Sequence, residues 1–339
     1  MGNQKPLAGL SIGDINGVGP EVILKTFSDH NLFDYCIPIV YGSSQILITH
    51  QKRLTIPSIE LNVIKNANEV KEGVLNVLEL DLVVPELSIG QDTPEGGSFA
   101  LASFEAAVDS LAKGFIDILI TSPLNKHNIS LPGFKGHTGY LTDKFGNDNS
   151  LMIMSSDELK VALVTGHVPV RKVSTLISQE LILKKLHVFH SALIEDYGIA
   201  NPKIAVLGLN PHAGDGGIIG GEEIKTISKG IKIAKDQGIQ ANGPISADGF
   251  FGSKSHRYYD GVLAMYHDQG LIPFKVIAFE NGVNFTAGLP VVRTSPAHGV
   301  AYDIAGKNEA SSSSFNNALM LACDILSRRK ERLASSDKY

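Results

Sequence analysis

The chain has 339 residues, 43% of them apolar and 19% charged, with a formal net charge of −5. That length and apolar content bury a sizeable core and read as two domains. The acidic balance, with no basic run interleaved with aromatics, argues against a nucleic-acid partner.

The opening stretch MGNQKPLAGLSIGD lacks a charged segment followed by the roughly 7–15 apolar residues of a secretory leader. No apolar run approaches the about 20 residues of a membrane helix, so a cytoplasmic protein with no membrane partner is expected. Cys36 and Cys323 lie far apart without a C-x-x-C, which offers neither a disulfide framework nor a thiolate zinc site and fits a reducing compartment.

In chain order, a strand is expected at 38–41, a helix over 98–113 and a strand at 116–120. Further strands are expected at 151–154, 160–164, 203–208 and 261–266, with helices over 179–194 and 222–236. Ser311 to Ser314 supply an N-cap run for a C-terminal helix whose cations, Arg328 to Arg332, lie toward its negative end. Short Val/Ile/Leu runs alternating with amphipathic segments define an α/β chain with parallel or mixed sheets. Without a low-complexity linker, the domain boundaries are expected near Leu124 and Val300, giving residues 1–124 plus 300–339 and residues 125–299.

Chemistry-bearing side chains cluster just after the expected strands: TSPLNK at 121–126, TGH at 165–167, NPH at 210–212 and HD at 267–268. Ligands of open α/β sheets bind outside the carboxyl ends of strands, so these four ends nominate one cleft. Two glycine clusters compete with them. GDINGVGPE at 13–21 matches neither the dinucleotide fingerprint nor the phosphate loop, and reads as a tight strand-to-helix turn with Pro20 at the first helical position. GDGGIIGG at 214–221 lacks a carboxylate at the tip of a following strand; a looser nucleotide or substrate loop stays open.

A histidine taken alone is more often structural than a ligand, and position sets three of the eleven apart. His167, His212 and His267 each follow a separate apolar strand, beside Gly, Pro or Asp, and could converge on one ion. Three imidazoles suit zinc, cobalt, nickel or copper, with iron and manganese open, and leave positions for a substrate. Their spacings match no short metal motif. The anion handles are Lys275, Asn284, Arg293 and the pair His137-Thr138; cations flanking the Gly/Pro-rich 281–290 segment can clamp phosphate or carboxylate.

Taken together, GD…GVGPE (13–21), TSPLNK (121–126), GHT (136–138), TGH (165–167), GLNPHAG (208–214), GPISAD (243–248), YHDQGLIPFK (266–275) and GLP…RTSP…HG (288–299) resemble the 4-hydroxythreonine-4-phosphate dehydrogenase family. The ordered match runs from about residue 8 to 307. The resemblance implies a two-domain isocitrate/isopropylmalate-dehydrogenase-like fold with an interdomain cleft, and a homodimer with a shared active site. It implies a divalent metal (Zn, Mg, Mn or Co) on His167, His212 and His267, the last from the partner subunit. Substrate contacts fall to His137, Thr138, Lys275, Asn284 and Arg293. The implied reaction uses NAD or NADP to oxidise the C3 hydroxyl of 4-phosphooxy-L-threonine and ends in decarboxylation to 3-amino-2-oxopropyl phosphate, in pyridoxal 5'-phosphate biosynthesis.

Within this reading Asp248, Asp268 and Lys275 are the catalytic candidates. Asp268 either orients an imidazole or moves the hydroxyl proton, Asp248 is the competing base, and Lys275 also serves as an anion clamp. No nucleotide-specificity motif is readable. The chain departs from the family pattern at Gly139, where an acidic residue is expected, and at Ala297 and Val300, in place of Asp and Thr. Three other readings are a paralogous dehydrogenase of phosphoerythronate or phosphothreonate, a non-redox phosphate acyltransferase, and a metal-binding protein without catalysis.

Overall fold

The structure, a computed structural model, describes residues 5–146 and 149–336. In chain order its strands are β1 (Leu7–Ser11), β2 (Ile37–Gly42), β3 (Leu61–Ile64), β4 (Leu75–Glu79), β5 (Ile118–Thr121), β6 (Leu151–Ser155), β7 (Lys160–Leu163), β8 (Lys203–Leu207), β9 (Gln240–Ile245), β10 (Gly261–Ala264), β11 (Val283–Ala287) and β12 (Val292–Pro296). The helices are α1 (Gly19–Phe27), α2 (Ser44–Gln51), α3 (Pro94–Ala112), α4 (His137–Phe145), α5 (Val170–Leu176), α6 (Gln179–Glu195), α7 (Ser228–Asp236), α8 (Ala247–Gly252), α9 (His267–Ala278) and α10 (Ser313–Ser336). Two compact units emerge, residues 1–145 with 290–326 and residues 146–289 with 327–339. Leu124 and Val300, the neighbourhoods where the sequence suggested boundaries, both lie inside the first.

In the first unit the strands run in the order β3, β4, β2, β1, β5, β12, and every neighbouring pair is parallel. β2 and β5 are buried along their whole length, as strands covered on both faces by crossover helices must be. The glycine motif at 13–21 is the turn that feeds α1. A side chain on Gly19 would meet the Ile12 carbonyl at 2.4 Å, and Gly13, at φ +74°, lies against the Pro123 carbonyl. Pro20 sits in the first helical turn, and the Val18 N–H is taken by the Val300 carbonyl at 3.0 Å. These glycines serve close backbone packing.

The second unit is mixed, in the order β11, β6, β7, β10, β8, β9. β11–β6 and β6–β7 are antiparallel, whereas β7–β10, β10–β8 and β8–β9 are parallel. Ser178 caps α6 by accepting the Leu181 N–H, and α6 buries Ile182, Leu186, Phe189 and Leu193. Gly261 lets α6 lie close to β10, because a Cβ there would stand 2.4 Å from the Phe189 ring.

The expected strands and helices are present, with two local differences. The 222–236 helix opens with a π turn, Glu223–Ile227, before α7. The strand expected at 261–266 ends at Ala264, and the polar stretch from His267 forms the first turns of α9.

Buried Ser103 on α3 ties the first unit together by donating to the Tyr41 carbonyl at 2.6 Å and accepting the Ile12 N–H at 2.9 Å. Ser103→Ala leaves both backbone groups unpaired and is expected to lower stability by about 1–3 kcal/mol in urea unfolding; an unchanged midpoint would show that the two groups find other partners.

Candidate functional site

The second unit places three parallel strand ends side by side, so residues after β7, β10 and β8 emerge at one edge. Hydrogen bonds continue past the strands there. Val164 N–H donates to the Ala264 carbonyl at 2.8 Å, and both the N–H and the hydroxyl of Thr165 donate to the Met265 carbonyl. Two residues beyond each clamp, the rings of His167 and His267 meet with centroids 5.4 Å apart. His267 opens α9, and its Nδ1–H donates to the Asp268 carboxylate at 2.6 Å, which selects the tautomer with its lone pair on Nε2.

Gln269 joins the β10 and β8 ends by accepting the Met265 N–H at 2.7 Å and donating to the Gly208 carbonyl at 2.6 Å. Beyond Gly208 the backbone enters an unusual turn in which residues 212–216 all have positive φ, including non-glycine His212, Ala213 and Asp215. Buried Glu223 braces this turn: its carboxylate accepts the N–H groups of Leu209 and Asn210 and the Asn210 side-chain amide. Burial pushes the Glu223 carboxyl up, but the Asn210 and Leu209 donors outweigh it and hold it below the usual carboxylate value.

His212 is exposed on that turn, and Asp248 lies in the first turn of α8. The Ser246 hydroxyl donates to Asp248 at 2.5 Å and, with the Gly249 N–H and then His212, holds this exposed carboxyl below its ordinary value. Of the three nominated histidines the chain thus pairs two and leaves His212 beside Asp248. Among the described residues no three His, Cys, Asp or Glu side chains form a group able to hold a metal ion.

Imidazoles are nonetheless donors of the kind a divalent ion takes. The donor chemistry matches, and Asp268 provides the carboxylate support usual behind a ligating imidazole. The resemblance implies a His267 supplied by the partner subunit; within one chain its ring stands beside that of His167. Lys275, also on α9, is exposed. Asn284, half-buried on β11, has a buried Oδ1 with no protein partner.

The first unit holds the other anion handles. Arg293 on β12 is 2% exposed, and its Nε and Nη2 donate to the Thr121 hydroxyl at 3.1 and 2.5 Å. Burial drives its guanidinium pKa down to about 9. His137 opens α4 with its ring edge-on to Phe104 at 4.6 Å. Burial, then the charges of Arg293 and Lys126, push its imidazole well below the ordinary value, so it is neutral at neutral pH. Its Nε2 is buried without a protein partner. A guanidinium, an ammonium and a neutral imidazole with an unused ring nitrogen suit an anionic oxygen ligand. Thr138 follows in the first turn of α4, its carbonyl accepting the Thr142 hydroxyl at 2.8 Å.

The departures from the family pattern have local packing partners. A Cβ at Gly139 would meet the Lys135 Cβ at 2.5 Å, and a Cβ at Gly17 would meet the Val300 side chain at 2.3 Å. Ala297 N–H donates to the Ser314 hydroxyl. Sequence reasoning missed Thr121 and Lys126 as individual site residues, although their TSPLNK motif marked the strand end. It missed Glu223 entirely, since an acid after Gly-Gly reads as an ordinary helix-start residue.

The fold and its polar strand ends define an α/β architecture of the isocitrate dehydrogenase type. Isocitrate dehydrogenase from Methylococcus capsulatus superposes with a TM-score of 0.50 at 12% identity, over 96% of this chain and 87% of that one, a likeness of fold alone. The chain belongs, more specifically, to the family described as pyridoxal phosphate biosynthetic protein PdxA, whose model matches residues 34–322, and it is an oxidoreductase. A 4-hydroxythreonine-4-phosphate dehydrogenase from Bacteroides thetaiotaomicron is 47% identical over 99% of this chain and 93% of its own. The crystal structure of the enzyme of that name from Klebsiella pneumoniae has a TM-score of 0.82 at 32% identity, covering 96% of this chain and 99% of that one. A protein from Oceanobacillus iheyensis, provisionally named D-threonate 4-phosphate dehydrogenase, is 36% identical over 95% and 98%.

Glu223 yields a pH-dependent test. A carboxyl held below its unfolded value contributes stability that is present above the unfolded pKa and lost as pH falls through the folded one. Glu223→Gln, which sets an amide against the Asn210 amide, is expected to cost about 1–3 kcal/mol near neutral pH. In thermal melts the gap to the unsubstituted protein should close as pH falls below about 4; a gap that persists at low pH would mean that shape, not charge, is what Glu223 provides.

Proposed function

We propose that this oxidoreductase oxidises the C3 hydroxyl of 4-phosphooxy-L-threonine with NAD or NADP and then releases CO2 to give 3-amino-2-oxopropyl phosphate, in pyridoxal 5'-phosphate biosynthesis. The observation that carries this reading is the His167–His267 pair, with Asp268 on His267, at the edge where β7, β10 and β8 end. Across the homodimer, His167 and His212 of one chain and His267 of the partner subunit are the residues that would hold a divalent ion (Zn, Mg, Mn or Co). Such an ion would supply a lowered hydroxyl pKa and a stabilising charge for developing negative charge, and a nicotinamide would supply the hydride acceptor.

The chain's own residues divide the remaining work. Asp268 is committed to the imidazole, which favours its orienting role over that of a base. Asp248, held ionised by Ser246 and the Gly249 N–H, is left to take the hydroxyl proton. Arg293, His137, Thr138, Lys275 and Asn284 are assigned to the substrate's phosphate and carboxylate, so that binding far from C3 orients the reacting bond.

The same reading includes a homodimer. On α9 and just past its end, Ile272, Val276 and Phe279 are 61%, 81% and 67% exposed at i, i+4 and i+7, one apolar stripe on the helix that begins with His267. Among the described residues no helix is long and apolar enough to cross a membrane, in keeping with a cytoplasmic site of action. A second reading, oxidation of a phosphorylated threonate, draws on the Oceanobacillus relative and uses the same handles.

Purified protein assayed for reduced nicotinamide with 4-phosphooxy-L-threonine and with 4-phospho-D-threonate, before and after chelation and metal restoration, separates the readings. Metal-dependent turnover of the first substrate is expected, abolished by His267→Ala, with Asp268→Asn weakening metal affinity by about 10–100-fold. Turnover of the threonate alone selects the second reading, and no reduction with either substrate points to the phosphate acyltransferase class. Val276→Glu is expected to yield monomers in light scattering; a dimer that survives it would place the interface elsewhere.

A further inference from the structure

Cys36 and Cys323 are the two cysteines of the chain, and the fold of the first unit brings them together. Cys36 is the residue immediately before β2 and is fully buried. Cys323 lies on α10, half-buried, with its Sγ 3.8 Å from the carbonyl of Tyr35, the neighbour of Cys36. Both thiols are free, and Cys323 is the largest single influence on the Cys36 thiol. Nothing in the reaction proposed above uses either.

We propose that Cys36 and Cys323 form an oxidation site, a vicinal dithiol that closes to an intramolecular disulfide with hydrogen peroxide as oxidant. Cys323, the thiol that reaches solvent, loses its proton and attacks a peroxide oxygen. The O–O bond breaks, Cys323 becomes a sulfenic acid, and the departing hydroxide takes the proton to leave as water. The Cys36 sulfur then attacks the Cys323 sulfur; the S–O bond breaks, the hydroxyl leaves as a second water with the Cys36 proton, and the S–S bond forms. Two thiols and one peroxide give one disulfide and two waters.

The asymmetry of the pair suits this order. Hydrogen bonding to Cys323 and then burial push the Cys36 thiol well above its ordinary value, against the opposing pull of Lys5, whose ammonium donates to the nearby Phe33 carbonyl at 2.9 Å. A buried thiol of that kind is a poor first nucleophile, but it stands ready beside the sulfur that oxidises first.

The bond would join the start of a central strand to the last helix, closing a loop that contains most of the chain. Cross-links across long loops restrict the unfolded chain most. The helix they would tether also accepts, at the Ala318 carbonyl, the hydroxyl of Thr294, the neighbour of Arg293 on β12.

The test is to treat the full-length protein with hydrogen peroxide or dithiothreitol and follow thiol labelling, non-reducing peptide mapping and thermal melting. The expected result is loss of both labelled thiols, a Cys36–Cys323 linked peptide and an upward Tm shift on the order of 5 °C, reversed by dithiothreitol. Cys323→Ser, which leaves the buried thiol and its packing in place, should show no shift. Retention of both thiols, over-oxidation of Cys323 alone, or a bond between two copies through Cys323 would each overturn the proposal.

Discussion

Parallel pairing of β7, β10 and β8 is the constraint on which the second unit's chemistry depends. Parallel strands must all end at the same edge, so three segments far apart in sequence surface together without any motif joining them. The clamp from Thr165 to Met265 then carries the alignment past the last ladder bond, and Gln269 extends it to Gly208. The imidazoles are positioned by backbone rather than by each other, which keeps the pair preorganised before anything binds.

The first unit solves a different electrostatic problem. Arg293 is buried on a strand with a threonine hydroxyl beneath it, and burying a guanidinium is costly unless something anionic or strongly accepting meets it. The histidine nearby stays neutral because the same burial and the same cations disfavour a further positive charge. One environment thus sets two protonation states: a cation ready for an anion, and an imidazole that still has a lone pair.

Much of this was legible in the sequence, for identifiable reasons. Strands such as 203–208 announce themselves through a short unbroken apolar run, Ile204 to Leu207, and polar residues immediately after such runs mark strand ends without any knowledge of topology. Pro20 at the head of α1 was readable because proline tolerates only a few positions in a helix. Harder to read was α9: His267, Asp268 and Gln269 look like a turn after a strand, yet they open a helix that packs so closely that a Cβ on Gly270 would meet Val161 and Ala264. Equally hidden was the positive-φ turn on which His212 sits, since nothing in the spacing of the three histidines announces it. Glu223 was invisible because its role lies in backbone donors contributed by a different loop.

The positive-φ run at 212–216 has a further consequence, for how the chain can change over time. Left-handed backbone at His212, Ala213 and Asp215 costs on the order of 1 kcal/mol or more at each, whereas glycine would adopt it freely. Selection for a sturdier fold alone would favour glycine at these positions. At 213 such drift would also remove the methyl that lies over Gly208, leaving a looser hinge under His212. This turn is therefore a place where robustness and accurate placement of an imidazole pull in opposite directions, and where a neutral-looking substitution would register in the site before it registered in the fold.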